Sequence, residues 1–130
     1  MRVNSESPGI PDAMSDTAVL VVDMMNTYQH PDAEDLIPNV EKIIEPLTDL
    51  VRRARESGDV DLVYVNDNYG DFTAEFSDIV RAACDGDRPD LVKPIRPAEE
   101  CRVMTKVRHS AFYATPLAYL LNRLDTKRLI

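Results

Sequence analysis

The sequence predicts an α/β fold, a Rossmann-like three-layer αβα arrangement with a parallel sheet that is incomplete at its C-terminal end. Three observations carry this reading. Short apolar runs are unbroken rather than alternating and end in polar residues, as strands buried on both faces do. Stretches with apolar residues at helical spacing stand between those runs. The chain then stops at Leu129-Ile130, inside what reads as the opening of a fourth strand.

Residues 1–16, MRVNSESPGIPDAMSD, are polar, carry two prolines and lack the apolar core of a signal peptide, so they are predicted to be a flexible leader. The domain proper is predicted over residues 17–130. Its first strand, Thr17 to Met24, holds the apolar run Ala18 to Val22, which stops at Asp23. From Tyr28 to Pro38 the chain reads as loop. Val40, Ile43, Ile44, Leu47, Leu50, Val51 and Ala54 then fall on one face of a helix that Gly58 stops. Pro46 is expected to kink that helix or delay its regular start.

Asp61 to Asp67, DLVYVND, is the second strand, and strand, helix, strand in that order makes a right-handed βαβ unit. Phe72, Phe76, Ile79, Val80 and Ala83 suggest a second helix ended by Asp85 and Gly86, with Cys84 continuing its apolar face as a buried thiol. Asp87 to Glu100 holds three prolines without periodicity and is expected to be a long loop, closed by Cys101. A third strand is expected at Val103 to Arg108. Thr115-Pro116 reads as the start of a helix whose core face is Leu117, Leu120, Leu121 and Leu124. A pattern that halts inside a strand leaves the last helix little sheet to cover, so the sequence reads as a truncated domain.

A chain of 130 residues fits one domain and can bury about two-thirds of its unfolded surface. Fifteen Lys and Arg against 23 Asp and Glu give a net charge of −8. That balance argues against nucleic acid or an anionic membrane as partner. No window approaches the length of apolar sequence that spans a bilayer, and two isolated cysteines make no disulfide framework. The cytoplasm is the expected compartment.

Two charged residues call for explanation. Asp23 stands at the carboxyl end of a buried strand, the edge of a parallel sheet where ligands bind; the plainer alternative is a surface acid capping the next segment. Lys106 lies toward the carboxyl end of the third strand among Val103, Met104 and Val107, where an ammonium is costly unless it reaches water or a partner. On the same edge as Asp23, it meets that acid if the two strands are neighbours. The plainer alternative is an edge-strand lysine in solvent.

Here the residues resemble a family. VVDMMNTY, Val21 to Tyr28, is similar to the first motif of the isochorismatase-like cysteine hydrolases, an acid after the first strand with an asparagine three residues on. KVRHSAF, Lys106 to Phe112, resembles their second motif, a lysine followed after three residues by Ser-Ala-Phe. The resemblance implies a Rossmann-like sheet of about six parallel strands and an Asp-Lys-Cys triad acting on a small amide or related small molecule. Carried over, Asp23 is the general base, and Lys106 stabilises the thiolate and orients the acid. The family's cysteine heads a helix after the fourth strand, which falls beyond Ile130, and Cys84 and Cys101 sit in the wrong elements to replace it. As a 130-residue chain the protein is therefore expected to be silent.

Asn26, Tyr28 and Tyr69, just beyond strand ends, are the expected substrate-binding residues. Met25, Thr27 and Tyr28 depart from the usual residues of the first motif. VNDNYGDF, Val65 to Phe72, offers Asp67 and Asp71 but no histidine where the metal-binding nicotinamidase branch has them, so no metal and no cofactor is expected. His30 and His109 are expected to be surface or satisfied residues rather than ligands. The expected partners are a small-molecule substrate and further copies of the chain, since an uncovered sheet edge and apolar helix faces favour a homo-oligomer.

Two alternatives come from other classes. Asp23, Asp67 and Lys106 ending three strands also fit a receiver-like phospho-accepting domain with magnesium near Asp23, although Asp23 lacks the adjacent acid and Lys106 the following proline usual in receivers. A non-catalytic binding remnant is the other.

Overall fold

The two most apolar runs become the centre of a parallel sheet. The computed structural model describes residues 16–107 and 109–130, so the expected leader lies, but for Asp16, outside the described residues. Along the chain come β1 (Thr17–Val22), α1 (Ala33–Ser57), β2 (Asp61–Asp67), α2 (Phe76–Cys84), two short 3-10 turns (Pro89–Leu91 and Lys93–Ile95), β3 (Arg102–Lys106), α3 (Leu117–Arg123) and β4 (Arg128–Leu129). The order across the sheet is β3-β2-β1-β4, and every pairing is parallel. With β1 and β2 in the middle, both faces of these strands are covered, which is why their sequences do not alternate.

This order is that of the first four strands of a dinucleotide-binding fold. A receiver places its first strand between the second and third, so the receiver-like alternative does not fit the topology. β4 is the expected fourth strand: Arg128 and Leu129 pair with Thr17 and Ala18, and the Ile130 N–H donates to the Ala18 carbonyl at 2.9 Å.

Alternate residues of β1 and β2 serve different layers. Val19, Val21, Leu62 and Tyr64 pack with α1, α2 and the 3-10 turns, whereas Val63 and Val65 pack with Leu117 of α3, flanked by Leu20 and Met104. The Tyr64 hydroxyl donates to the Ile95 carbonyl at 2.5 Å and accepts from Arg55 at 3.2 Å, tying β2, α1 and the second 3-10 turn together. Burial pushes this phenol up to about 12.

Several sequence expectations are corrected. α1 begins at Ala33, so much of the expected loop from Tyr28 to Pro38 is helix, and the helix runs through both Pro38 and Pro46. Both prolines are exposed, as are Glu34 and Lys42, whose carbonyls lose their donors; water on that face can serve them. Ile43 falls off the core stripe and is 46% exposed. Phe72 lies exposed ahead of α2, which starts at Phe76 with a reciprocal Glu75–Asp78 capping box.

The largest correction concerns Asp87 to Glu100. Its two 3-10 turns bury Leu91, Val92 and Ile95 in the core, so this stretch is part of the packed layer and not a loop over it. β3 starts at Arg102 and ends at Lys106, earlier than expected. At the start of α3 Pro116 takes the cap position, and the Thr115 hydroxyl still accepts the Leu117 N–H at 3.4 Å.

Candidate active site

Three strand ends meet at the carboxyl edge of the sheet. Asp23 follows β1, Asp67 ends β2 and Lys106 ends β3, in register opposite Asp67. Asp23 and Lys106 were expected to meet if their strands were neighbours. They are not neighbours: β2 lies between them, which sets β1 and β3 about 9–10 Å apart. They meet all the same, because the long lysine side chain crosses the end of β2 and brings Nζ within 3.0 Å of Asp23 Oδ2.

Lys106 is 1% exposed and the Asp23 side chain 43% exposed. A buried ammonium costs several kcal/mol unless it is paired. Two carboxylates supply the pairing, Asp23 and, at 3.7 Å, Asp67 Oδ2. Although β3 is an edge strand of this sheet, Lys106 is thus not the solvent-facing lysine of the plainer reading. Asp23 combines a fixed geometry with an open side, as an acid that must receive a proton from an incoming group requires.

The local backbone is held against its own preference. Asp23, Tyr28 and Tyr69 have φ of 58°, 57° and 54°, in the left-handed region that bulky side chains avoid. Asp23 is fixed by its N–H to the Val65 carbonyl at 3.0 Å and by the Asp67 N–H to its Oδ1 at 2.9 Å. Tyr28 N–H donates to Asn26 Oδ1 at 2.8 Å, and Tyr69 N–H to Asp67 Oδ1 at 2.7 Å.

Asn66, fully buried in β2, accepts from the Met25 N–H at 2.9 Å and donates to the Met25 carbonyl at 3.2 Å. The side chain thereby acts as a short piece of strand for the turn beyond Asp23. A Cβ on Gly86 would lie 2.6 Å from the Thr27 carbonyl oxygen, so the turn after α2 presses on the same segment from the other side.

The expected substrate-binding residues separate. Tyr69 is 57% exposed, yet its hydroxyl turns inward and donates to the Met25 carbonyl at 2.9 Å. Burial of that hydroxyl pushes its pKa up; the Asn66 hydrogen bond opposes this, and Asp23 and Asp67 add to it. Tyr69, Met25, Thr27, Asn68, Asp71 and Ile79 help to line a cleft of about 180 Å³. Tyr28 is instead packed in the core and has almost no open surface to offer a small molecule. Asn26 is half-buried, and its Nδ2 lies 3.1 Å from His30 Nε2.

The sequence does not single out Asn66, and it offers Asp67 only to a metal or to a receiver's site. The available signal was the polar pair Asn66-Asp67 closing an otherwise apolar strand, because a buried amide must find partners. The cysteines stand elsewhere. Cys101 precedes β3, with Sγ 3.6 Å from the Leu62 carbonyl near the start of β2, at the opposite edge of the sheet. Burial pushes its thiol up, away from the reactive thiolate. Cys84 is half-buried against the core. Among the described residues no group of three or more His, Cys, Asp or Glu is placed to hold a metal ion, and no described helix is long and apolar enough to cross a membrane.

Comparison with known proteins converges on one family. The model of the isochorismatase domain matches residues 17–130. An uncharacterised isochorismatase family protein of Bacillus subtilis, YaaI, is 32% identical over 116 residues, which cover 89% of this chain and 64% of YaaI. The fold is shared with an isochorismatase-like hydrolase from Alkaliphilus metalliredigens, with TM-score 0.63 and 23% identity over 87% of this chain and 61% of that one. It is also shared with a cysteine hydrolase from Pseudomonas syringae pv. phaseolicola, with TM-score 0.60 and 18% identity over 96% of this chain and 63% of that one. The chain thus spans somewhat under two-thirds of the length of these relatives.

Proposed function

The chain belongs to the isochorismatase family, and from that premise we propose that it carries the acid and the lysine of a cysteine-hydrolase site acting on a small amide or related small molecule. The observation that supports this reading best is the contact of the buried Lys106 ammonium with the half-open Asp23 carboxylate, 3.0 Å at the carboxyl edge of the sheet. In this reading the cysteine comes from the portion of the family fold that the chain does not span, so the 130 residues alone do not turn substrate over.

The chemistry follows from the two groups. Asp23 takes the proton of the thiol, and the Lys106 ammonium lowers the cost of the thiolate that forms. The thiolate attacks the carbonyl carbon, and the amine leaves with the proton held by Asp23. Water, deprotonated by the same carboxylate, then hydrolyses the thioester and returns the thiol. In this reading Tyr69 and Asn26 are the substrate contacts.

The test is ammonia release from a panel of small primary amides by the product of the whole reading frame that contains this chain. Asp23→Asn and Lys106→Met are each expected to lower kcat/KM by roughly 10³-fold or more. Turnover that survives both substitutions would sink the assignment of roles, and turnover by the 130-residue chain alone would place the nucleophile within it.

A further inference from the structure

We propose that Asp67 is a positioning residue, the bridge that lets an acid and a lysine on non-adjacent strands act as one unit. The inference rests on the assignment of Asp23 and Lys106 to the reaction and adds the group that sets their geometry. Two strands separated by a third stand about 9–10 Å apart, and only the end of β2 lies between them. The residue at that end, opposite Lys106 in the register, is Asp67.

Asp67 acts through three of its atoms. Its N–H donates to Asp23 Oδ1 at 2.9 Å, which turns Asp23 Oδ2 toward the ammonium. Its Oδ1 accepts the Tyr69 N–H at 2.7 Å, which fixes its own rotamer. Its Oδ2 is left to face Lys106 Nζ at 3.7 Å. An ammonium that crosses an uncharged strand end would lose its hydration over that distance without compensation; here it passes from one carboxylate to the other.

The carboxylate's part can be separated from a turn-forming role by Asp67→Asn. Asparagine keeps the N–H to Asp23 and an oxygen for the Tyr69 N–H, and replaces the carboxylate oxygen beside Lys106 with an uncharged amide NH2 that cannot accept from the ammonium. The readout is nitrogen-15 NMR of the lysine ammonium groups in the 130-residue chain, which needs no turnover and so is independent of whether the hydrolase reading holds. In the unsubstituted chain Lys106 should give a persistent ammonium signal with a scalar coupling across the hydrogen bond to the Asp23 carboxyl carbon.

In Asp67→Asn the coupling should be lost, and exchange of those protons with water should rise about tenfold. An unchanged coupling and exchange rate in a folded Asp67→Asn chain would reduce Asp67 to a turn residue and overturn the proposal. A Lys106 signal already averaged with water in the unsubstituted chain would overturn it with no variant made.

Discussion

The two faces of the sheet are built to different standards. On one, Val19, Val21, Leu62 and Tyr64 meet α1, α2 and the 3-10 turns, and the buried residues run continuously from Met25 through Val51 to Ile95. On the other, Leu117 of α3 packs on Val63 and Val65 with Ala111 beside it, Leu120 and Leu121 are only half-buried, and Val22 and Leu129 are exposed. The candidate site lies on the edge the two faces share. Its inner supports, Asn66 and Met25, belong to the well-packed side, so the first face makes the geometry of Asp23 rigid.

The contrast predicts unequal mutational costs. Ile95→Ala removes a wholly buried side chain from the packed face and should lower stability by about 3 kcal/mol, whereas Leu120→Ala on the sparse face should cost about 1 kcal/mol. Urea unfolding of both variants at unchanged slope checks this. Equal losses would mean that α3 is covered in solution and that the faces are alike.

The next effect is the pH dependence of the packed face. Burial keeps the Tyr64 phenol protonated to about 12 in the folded chain, against 10.0 in the unfolded one. The folded state therefore holds the proton more tightly. Its stabilisation is complete below pH 10 and is lost as pH rises toward 12, by about 2–3 kcal/mol. Tyr28 and Tyr69 are shifted in the same direction, so Tyr64→Phe should make the alkaline loss shallower without abolishing it. A slope unchanged by Tyr64→Phe would remove Tyr64 from the account.

At the shared edge, Asn66→Ala leaves the buried Met25 N–H without its acceptor and should cost about 2 kcal/mol. The same change should release the turn that carries Asp23, visible as faster hydrogen exchange at the Met25 amide. A loss of stability with that amide still protected would show that another group holds the turn.

These expectations mark where sequence reasoning reached its limit. Asp23 and Lys106 stood out because each is a charge at the end of an apolar run, a conflict that local chemistry makes visible. Their contact could be stated only conditionally, since strand order is a property of the whole sheet and no periodicity encodes it. Asn66 and Asp67 act through hydrogen bonds to residues that are adjacent only after β1 and β2 pair. The buried Leu91, Val92 and Ile95 were hidden for another reason: prolines at 89, 94 and 97 suggested loop, whereas in a 3-10 turn proline takes an early position without loss.

Ile43 gives the smallest predicted effect and the finest test of the two faces. Helical spacing groups it with Ile44 and Leu47, but α1 presents a narrower stripe to the sheet than the sequence suggests, and Ile43 is 46% exposed while Ile44 packs against the core. Ile43→Ser should therefore change stability by no more than about 0.5 kcal/mol, and Ile44→Ser by a clearly larger amount. If the two substitutions cost the same, Ile43 is covered in solution, and the outer side of α1 would join the sparse face of the sheet as a surface that the isolated chain leaves open.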